Sequence, residues 1–275
     1  MDALSADWLG LCRRAVAAQR EIFDEVRGIE ARTVYEGVGE GGDRTLEIDR
    51  RCEDAVFAEL ESLARESASF IAVSEERGEV SFGAGGPVRV VIDPIDGSLN
   101  ARRTIPSHSL SVAVASGPSM ADVEFGFVHD FGAGEEFVAR RGEGAALDGE
   151  PAGVAPEGER LEVLGVEAAE PERGLPVMAA LADSVYRLRV VGSIAITASY
   201  VAAGRFDAML SLRPCRSVDI AAAQLIVREA GGAVAFGDLA LDQASLGLDA
   251  RYPIAAACGE RGLGVIREAQ ARAAL

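Results

Sequence analysis

The stretch Val90-Val91-Ile92-Asp93-Pro94-Ile95-Asp96-Gly97-Ser98-Leu99-Asn100 opens as a continuous β-branched run and closes on two aspartates three residues apart. Such a run reads as a strand buried on both faces. Proline cannot extend a ladder and glycine admits a sharp reversal, so the strand is expected to stop where the aspartates begin. Both carboxylates would then project beyond the end of the sheet. Two anions held together are costly unless something positive sits between them, and hard oxygen ligands favour Mg²⁺. The same residues also suit an Asx-type turn with no ligand, since aspartate is common in turns.

Two more segments bear on that choice. Phe70-Ile71-Ala72-Val73-Ser74 is a second apolar run, delivering Glu75 and Glu76 at its end. Neighbours on a strand face opposite sides, so one of the pair is expected to bind metal; a solvated sheet edge would need neither. From Cys215 to Gly232 the chain is almost entirely apolar, which predicts a buried helix with Ser217 as N-cap and glycines at its end. Asp219 falls in its first turn, where dipole compensation alone would account for an anion. Gly192-Ser193 opens another helix, whose first amides would face a phosphate or a sugar hydroxyl unless the serine is an ordinary cap. The turn amides of Ile95 to Ser98 offer further donors. His108 and His129 have no motif around them and read as structural.

Elsewhere, helical spacing covers Ala6 to Val26, a second helix starts near Ile48, and short strands recur up to Ala139. The Gly/Pro-rich stretch Gly142 to Gly158 reads as a boundary, giving an N-terminal α+β part (residues 1–145) and a C-terminal α/β part (155–275). Helices and strands alternate in the second part, which favours a layered architecture.

Taken in order, these segments resemble the signature regions of the inositol monophosphatase superfamily. The matches are the Glu-Glu after a strand, Asp93-Pro94-Ile95-Asp96-Gly97-Ser98, and Val218-Asp219-Ile220-Ala221-Ala222. A fourth, Asp43-Arg44-Thr45-Leu46-Glu47-Ile48-Asp49, is similar to the family's Thr-x-x-x-Asp, and the likeness runs from about Ala6 to the C-terminus. It implies a sandwich of alternating α and β layers, α+β then α/β, and a Mg²⁺-dependent phosphate-monoester hydrolase using two or three ions, with Mn²⁺ as a substitute. By the same resemblance Glu75, Asp93 and the Ile95 carbonyl hold one ion, and Asp93, Asp96 and Asp219 a second. Asp49 and Ser98, beside the catalytic Glu75, position and deprotonate the attacking water. Ions so placed activate water and stabilise the leaving alkoxide from about 3.5–4 Å apart. Asp43, in an acidic loop resembling the family's mobile loop, is a candidate for a third ion. Asp96, Gly97, Ser98, Gly192, Ser193 and Arg213 are the substrate-binding candidates; Thr45 and Glu76 are further site candidates, and Arg102 and Arg103 candidates for a second phosphate.

Three departures bear on substrate. Val218 replaces a common Trp, Ser98 replaces Thr while keeping the hydroxyl, and Leu212 aligns with an inositol-binding acid. Asn100-Ala101-Arg102-Arg103-Thr104-Ile105-Pro106 with Leu212-Arg213 resembles the archaeal inositol-1-monophosphatase/fructose-1,6-bisphosphatase branch. The expected substrates are therefore fructose 1,6-bisphosphate and/or myo-inositol 1-phosphate, an arginine fork suiting a second phosphate. The alternatives are a nucleotide-directed phosphatase of the same superfamily, acting on phosphoadenosine phosphate or NADP, and a non-catalytic regulator that binds sugar phosphate. The family commonly dimerises, so a homodimer is expected.

Composition narrows the partners. The 275 residues carry a net charge of −17 and all 27 basic residues are arginine, so nucleic acid and anionic membranes would be repelled. The run Val190 to Gly204 is too short and too polar to span a bilayer. Met1 to Asp7 is acidic where an export signal would be basic. Four scattered cysteines argue for a reducing cytoplasm and against a disulfide or zinc scaffold. Arginine without lysine fits a GC-rich genome; the acidity fits a salt-loaded, halophilic cytoplasm better. Screening lengths shrink from ~30 Å at 0.01 M to ~3 Å at 1 M salt. The thermal midpoint is therefore expected to rise with KCl, and a flat response from dilute buffer to molar KCl would leave codon usage as the whole explanation.

Overall fold

The structure is a computed structural model and describes residues 3–38, 44–66 and 68–272. Asp43, the candidate for a third ion, lies outside the described residues, and so does the side chain of Thr45. Helix α1 (Trp8–Glu25) begins where the Asp7 carboxylate accepts the Gly10 amide at 3.0 Å, and it buries Trp8, Leu11, Cys12, Ala15, Val16 and Phe23. A ribbon of β1 (Tyr35–Val38) and β2 (Arg44–Leu46) leads into α2 (Glu47–Arg65), which buries Ile48, Cys52, Val56, Phe57 and Leu60.

These two helices lie on one face of an eight-stranded sheet. Its strands are β3 (Phe70–Ser74), β4 (Gly78–Phe82), β5 (Arg89–Asp96), β6 (Ser109–Ala115), β7 (Val123–Asp130), β8 (Glu135–Arg140), β9 (Gly144–Leu147) and β10 (Glu150–Ala152). They run in the order β10-β9-β8-β7-β6-β5-β3-β4, antiparallel except for β3 beside β5. A short helix α3 (Ser98–Arg102) follows β5 directly.

The second sheet is built from β11 (Leu161–Glu167), β12 (Val185–Arg189), β13 (Ala208–Ser211), β15 (Ala233–Phe236) and β17 (Ile254–Ala257). Its order is β12-β11-β13-β17-β15, while β14 (Cys215–Arg216) and β16 (Arg251–Tyr252) pair apart from it. Helices α4 (Pro171–Leu181) and α7 (Glu260–Arg272) cover its outer face. Helices α5 (Ile194–Ala202) and α6 (Ser217–Glu229) fill the space between the two sheets, and their core includes residues of both. The result is the expected alternation of α and β layers. No described helix is long and apolar enough to cross a membrane.

Helix α6 has no polar stripe along its middle: every residue from Ile220 to Val227 is buried. A helix apolar all round belongs between two layers, not on a surface. Its approach to β7 depends on Gly126, where an added Cβ would stand 2.6 Å from the Ala222 carbonyl oxygen.

The local reading needs four corrections. Strand β5 does not stop at Asp93; it runs to Asp96 through an irregularity, with Asp93 opposite Ser111 and Asp96 opposite Ser109. Pro94 sits in that bulge, where no ladder hydrogen bond is required of it. Glu75 and Glu76 are not on a strand but in the turn joining β3 to β4. The Gly142–Gly158 stretch is more than a boundary, because β9 and β10 lie within it and the passage between sheets is confined to 153–160. Ser217 is not a cap: Arg216 holds that position, and the Ser217 hydroxyl donates to the Leu246 and Gly247 carbonyls. Gly126→Ala is expected to destabilise the protein by about 1–3 kcal/mol through overpacking, read as a lowered thermal midpoint; an unchanged midpoint would show that α6 can retreat without loss.

Candidate active site

Each acidic candidate reaches the site from a different element. Asp93 lies in the β5 bulge, 2% exposed, and accepts the Ile95 amide at 3.0 Å. Ile95 buries its side chain with Phe23, Leu46, Ile48, Cys52 and Ala101, which anchors the bulge. Asp96 ends β5; one of its oxygens accepts the Ser193 hydroxyl and the Ala195 amide, the latter at 2.7 Å. Asp219 stands in the first turn of α6 and accepts the Arg216 amide at 2.9 Å. Asp49 does the same at the start of α2, accepting the Leu46 amide at 3.1 Å. Three helix N-termini, those of α2, α5 and α6, thus each receive a carboxylate, the sign their dipoles favour.

A cleft of about 710 Å³ gathers these residues: Glu75, Asp93, Ile95, Asp96, Gly97, Ser98, Gly192, Arg213 and Asp219 all line it. A cavity of about 90 Å³ shares Glu75, Asp93, Ile95 and Ser98 with it and adds Asp49 and Glu76. Arg102 and Arg103 line neither. Gly192 borders the cleft, yet its amide donates to Glu167, while Ser193 caps α5 and donates to Asp96. The α5 amides expected to face a phosphate are accordingly spent on protein carboxylates. Leu212, aligned with an inositol-binding acid, is buried in the outer core.

Removal from water raises the pKa of every member of the cluster. Asp93 and Glu75 are pushed well above the usual carboxylate range, first by burial and then by their neighbours' charges. Asp96 rises to about 7 from burial and the Asp219 charge, against the opposing bonds from Ser193 and Ala195. Asp49 rises to about 6, burial outweighing the Leu46 amide. The cluster is short of positive charge. Arg216 supplies some, its guanidinium resting on Glu75. Among the described residues no three acids stand close enough together to hold an ion. The donor chemistry nonetheless fits one: four mutually repelling carboxylates and a backbone carbonyl are hard oxygens of the kind Mg²⁺ takes.

Several residues that hold this arrangement were not evident in the sequence. Glu167, at the end of β11, accepts the Val191 and Gly192 amides and the Thr197 hydroxyl, and burial raises it to about 7. Asn100 donates to the Ser107 and Val191 carbonyls at 2.8 Å, tying α3 to the loop before α5. Between them Gly97 takes φ 89°, and an added Cβ would meet the Gly192 and Ser107 carbonyls at 2.9 Å. Gln19 donates to the Cys52 and Pro94 carbonyls, and Glu53 accepts the Ser74 hydroxyl and the Arg77 amide. Gln19 and Glu53 did leave a signal: both are polar residues on otherwise apolar helix faces. Arg216 and Arg251 left none, because only the β14–β16 pairing brings them together.

Residues 9–269 match the model of the inositol monophosphatase family. A fructose-1,6-bisphosphatase/inositol-1-monophosphatase of Methanothermobacter thermautotrophicus is 33% identical, covering 82% of this chain and 83% of that protein. One of the same name from Archaeoglobus fulgidus is also 33% identical, over 86% and 88%. Among solved structures, an inositol monophosphatase-fructose 1,6 bisphosphatase superposes with a TM-score of 0.82 at 26% identity, covering 96% of this chain and all of the other. The extragenic suppressor protein suhB of Bartonella henselae gives 0.79 at 25% identity, over 96% and 98%.

The raised acids have a consequence for stability. Folded Asp49 keeps its proton to about pH 6 and Asp96 to about pH 7, whereas an unfolded aspartate loses it near pH ~3.9. Folding then takes up protons between these values, so stability falls as pH rises through that window. In chelator the thermal midpoint is expected to be higher at pH 5 than at pH 8, and saturating Mg²⁺ should flatten the slope. A midpoint that instead climbed from pH 5 to pH 8 in chelator would mean the acids do not crowd one another.

Proposed function

The chain belongs to the inositol monophosphatase family and is a phosphatase of that family; from this premise we propose that it releases phosphate from fructose 1,6-bisphosphate and myo-inositol 1-phosphate. The observation that carries the substrate reading is the two-signed lining of one cleft. Its lining includes the acids Glu75, Asp93, Asp96 and Asp219, and its exposed rim holds Arg213 and Arg251. A ligand with phosphates at both ends suits such a cleft, one end toward the acids and the other toward guanidinium forks. The archaeal relatives at 33% identity carry both activities in their names.

In this reading Glu75, Asp93, the Ile95 carbonyl, Asp96 and Asp219 hold Mg²⁺, which when bound neutralises phosphate charge and makes water a better nucleophile. Asp49 and Ser98 face the smaller cavity, which has room for a water. With Oδ2 of Asp49 engaged by the Leu46 amide, Oδ1 is the atom that accepts the proton from that water, and the Ser98 hydroxyl orients it. Gly97, Ser98 and Gly192 border the place of the reacting phosphate. Ser193 acts one step back, fixing Asp96. Four free, buried thiols support a cytoplasmic site of action. Exposed Tyr186, Leu188 and Val190 along the β12 edge support a homodimer.

Phosphate release from both substrates should require Mg²⁺ and vanish in excess chelator, and Asp93→Asn should abolish it in a chain that still folds. Arg213 is exposed and rests 3.7 Å from Glu170. Arg213→Ala is expected to lower kcat/KM on the bisphosphate by ~1.5–3 kcal/mol, roughly tenfold to a hundredfold. The inositol substrate should change by less than about twofold, having no distal phosphate to lose. Equal losses on both substrates would overturn the assignment of the rim to a second phosphate, and turnover of NADP in preference to either would move the enzyme to the nucleotide-directed branch.

A further inference from the structure

Among the described residues, Arg216 stands inside the carboxylate cluster itself. Its side chain is 13% exposed and its guanidinium is in direct contact with Glu75, a residue 141 positions away and 20% exposed. Its backbone is fixed twice over, since its amide donates to Asp219 and its strand pairs with Arg251 on β16. The side chain therefore moves from a rigid base. We infer that Arg216 is a resident counter-cation of the cluster, which holds Glu75 by charge and competes with a divalent ion for it.

Electrostatics and geometry support this together. Glu75, Asp93, Asp96 and Asp219 repel one another in a site partly closed to water, and an unpaired buried charge is more costly than a paired one. One guanidinium relieves part of that repulsion and keeps the β3–β4 turn against α6. A guanidinium and a divalent cation repel each other strongly at contact range, so loading the ion means releasing the pair. A monovalent ion carries no more charge than the group it would displace, whereas Mg²⁺ carries twice as much. The pair thus biases the cluster toward divalent ions. Arginine suits the task better than lysine, because it stays charged when buried and its planar fork matches a carboxylate.

This inference rests on the reading of these acids as the Mg²⁺ site, and one experiment separates the two. Mg²⁺ binding is measured by titration calorimetry on the full chain, alongside thermal midpoints in chelator and in Mg²⁺. Arg216→Gln is expected to bind Mg²⁺ about tenfold more tightly than the wild type, to melt lower in chelator, and to gain more from added Mg²⁺. Arg216→Lys, which restores the charge on a shorter stem, should bind with an affinity between the two, a comparison that does not depend on the glutamine variant's stability in chelator. If Arg216→Gln binds Mg²⁺ as the wild type does or more weakly, the arginine orients Glu75 and does not compete for it, and the inference is overturned. If the wild type itself takes up no Mg²⁺, the metal reading falls first and takes the inference with it.

Discussion

Like charges forced together at the meeting of several elements are the constraint on which the rest of this molecule depends. Asp93 and Asp96 are buried, and Glu75 and Asp219 line the cleft. Burial and mutual repulsion raise the pKa of each acid, and only donors from the surrounding structure offset that rise. That structure supplies three helix N-termini, a serine hydroxyl, backbone amides and one guanidinium. The bulge in β5 serves the same end. It lets two acids three residues apart share one side of a sheet edge while Ile95 is clamped in a hydrophobic cluster.

Much of this is legible in the chain because the signals are local. A β-branched run ending in Asp93-Pro94-Ile95-Asp96-Gly97 and an apolar helix beginning beside Asp219 are patterns of adjacent residues, and the strand and the helix they predict are both present. The layered fold follows from those elements and from the family likeness. What was hidden depends on contacts between distant residues. No reading of neighbours reveals that Ser193 bonds Asp96, 97 positions away, or that Arg216 reaches Glu75. The strand reading failed at Asp93 because Pro94 breaks a regular ladder but not a bulged one. Strands β9 and β10 are hard to read because glycines flank them and Pro151 lies within β10, at the edge of a sheet where proline is tolerated.

The lysine-free surface has a structural counterpart. Arginines join elements far apart in sequence, as in Arg13 with Glu136, Arg14 with Glu59 and Arg205 with Glu135. Each such pair is worth little when exposed, about 0–1 kcal/mol. Their value lies in distribution: with 44 acids against 27 arginines, each pairing removes one close repulsion from a surface dominated by a single sign.

Helix α6 carries one more consequence. It is apolar on every side and is covered by a sheet on each side, so neither sheet can bury it alone. The ribosome delivers the first sheet complete before β11 has been made, and that sheet must wait with the inner face meant for α5 and α6 exposed to water. Residues 194–202 and then 217–229 supply its cover, and the second of these segments carries Asp219 to the other acids. Completing this core and bringing Asp219 to the other acids thus both depend on α6.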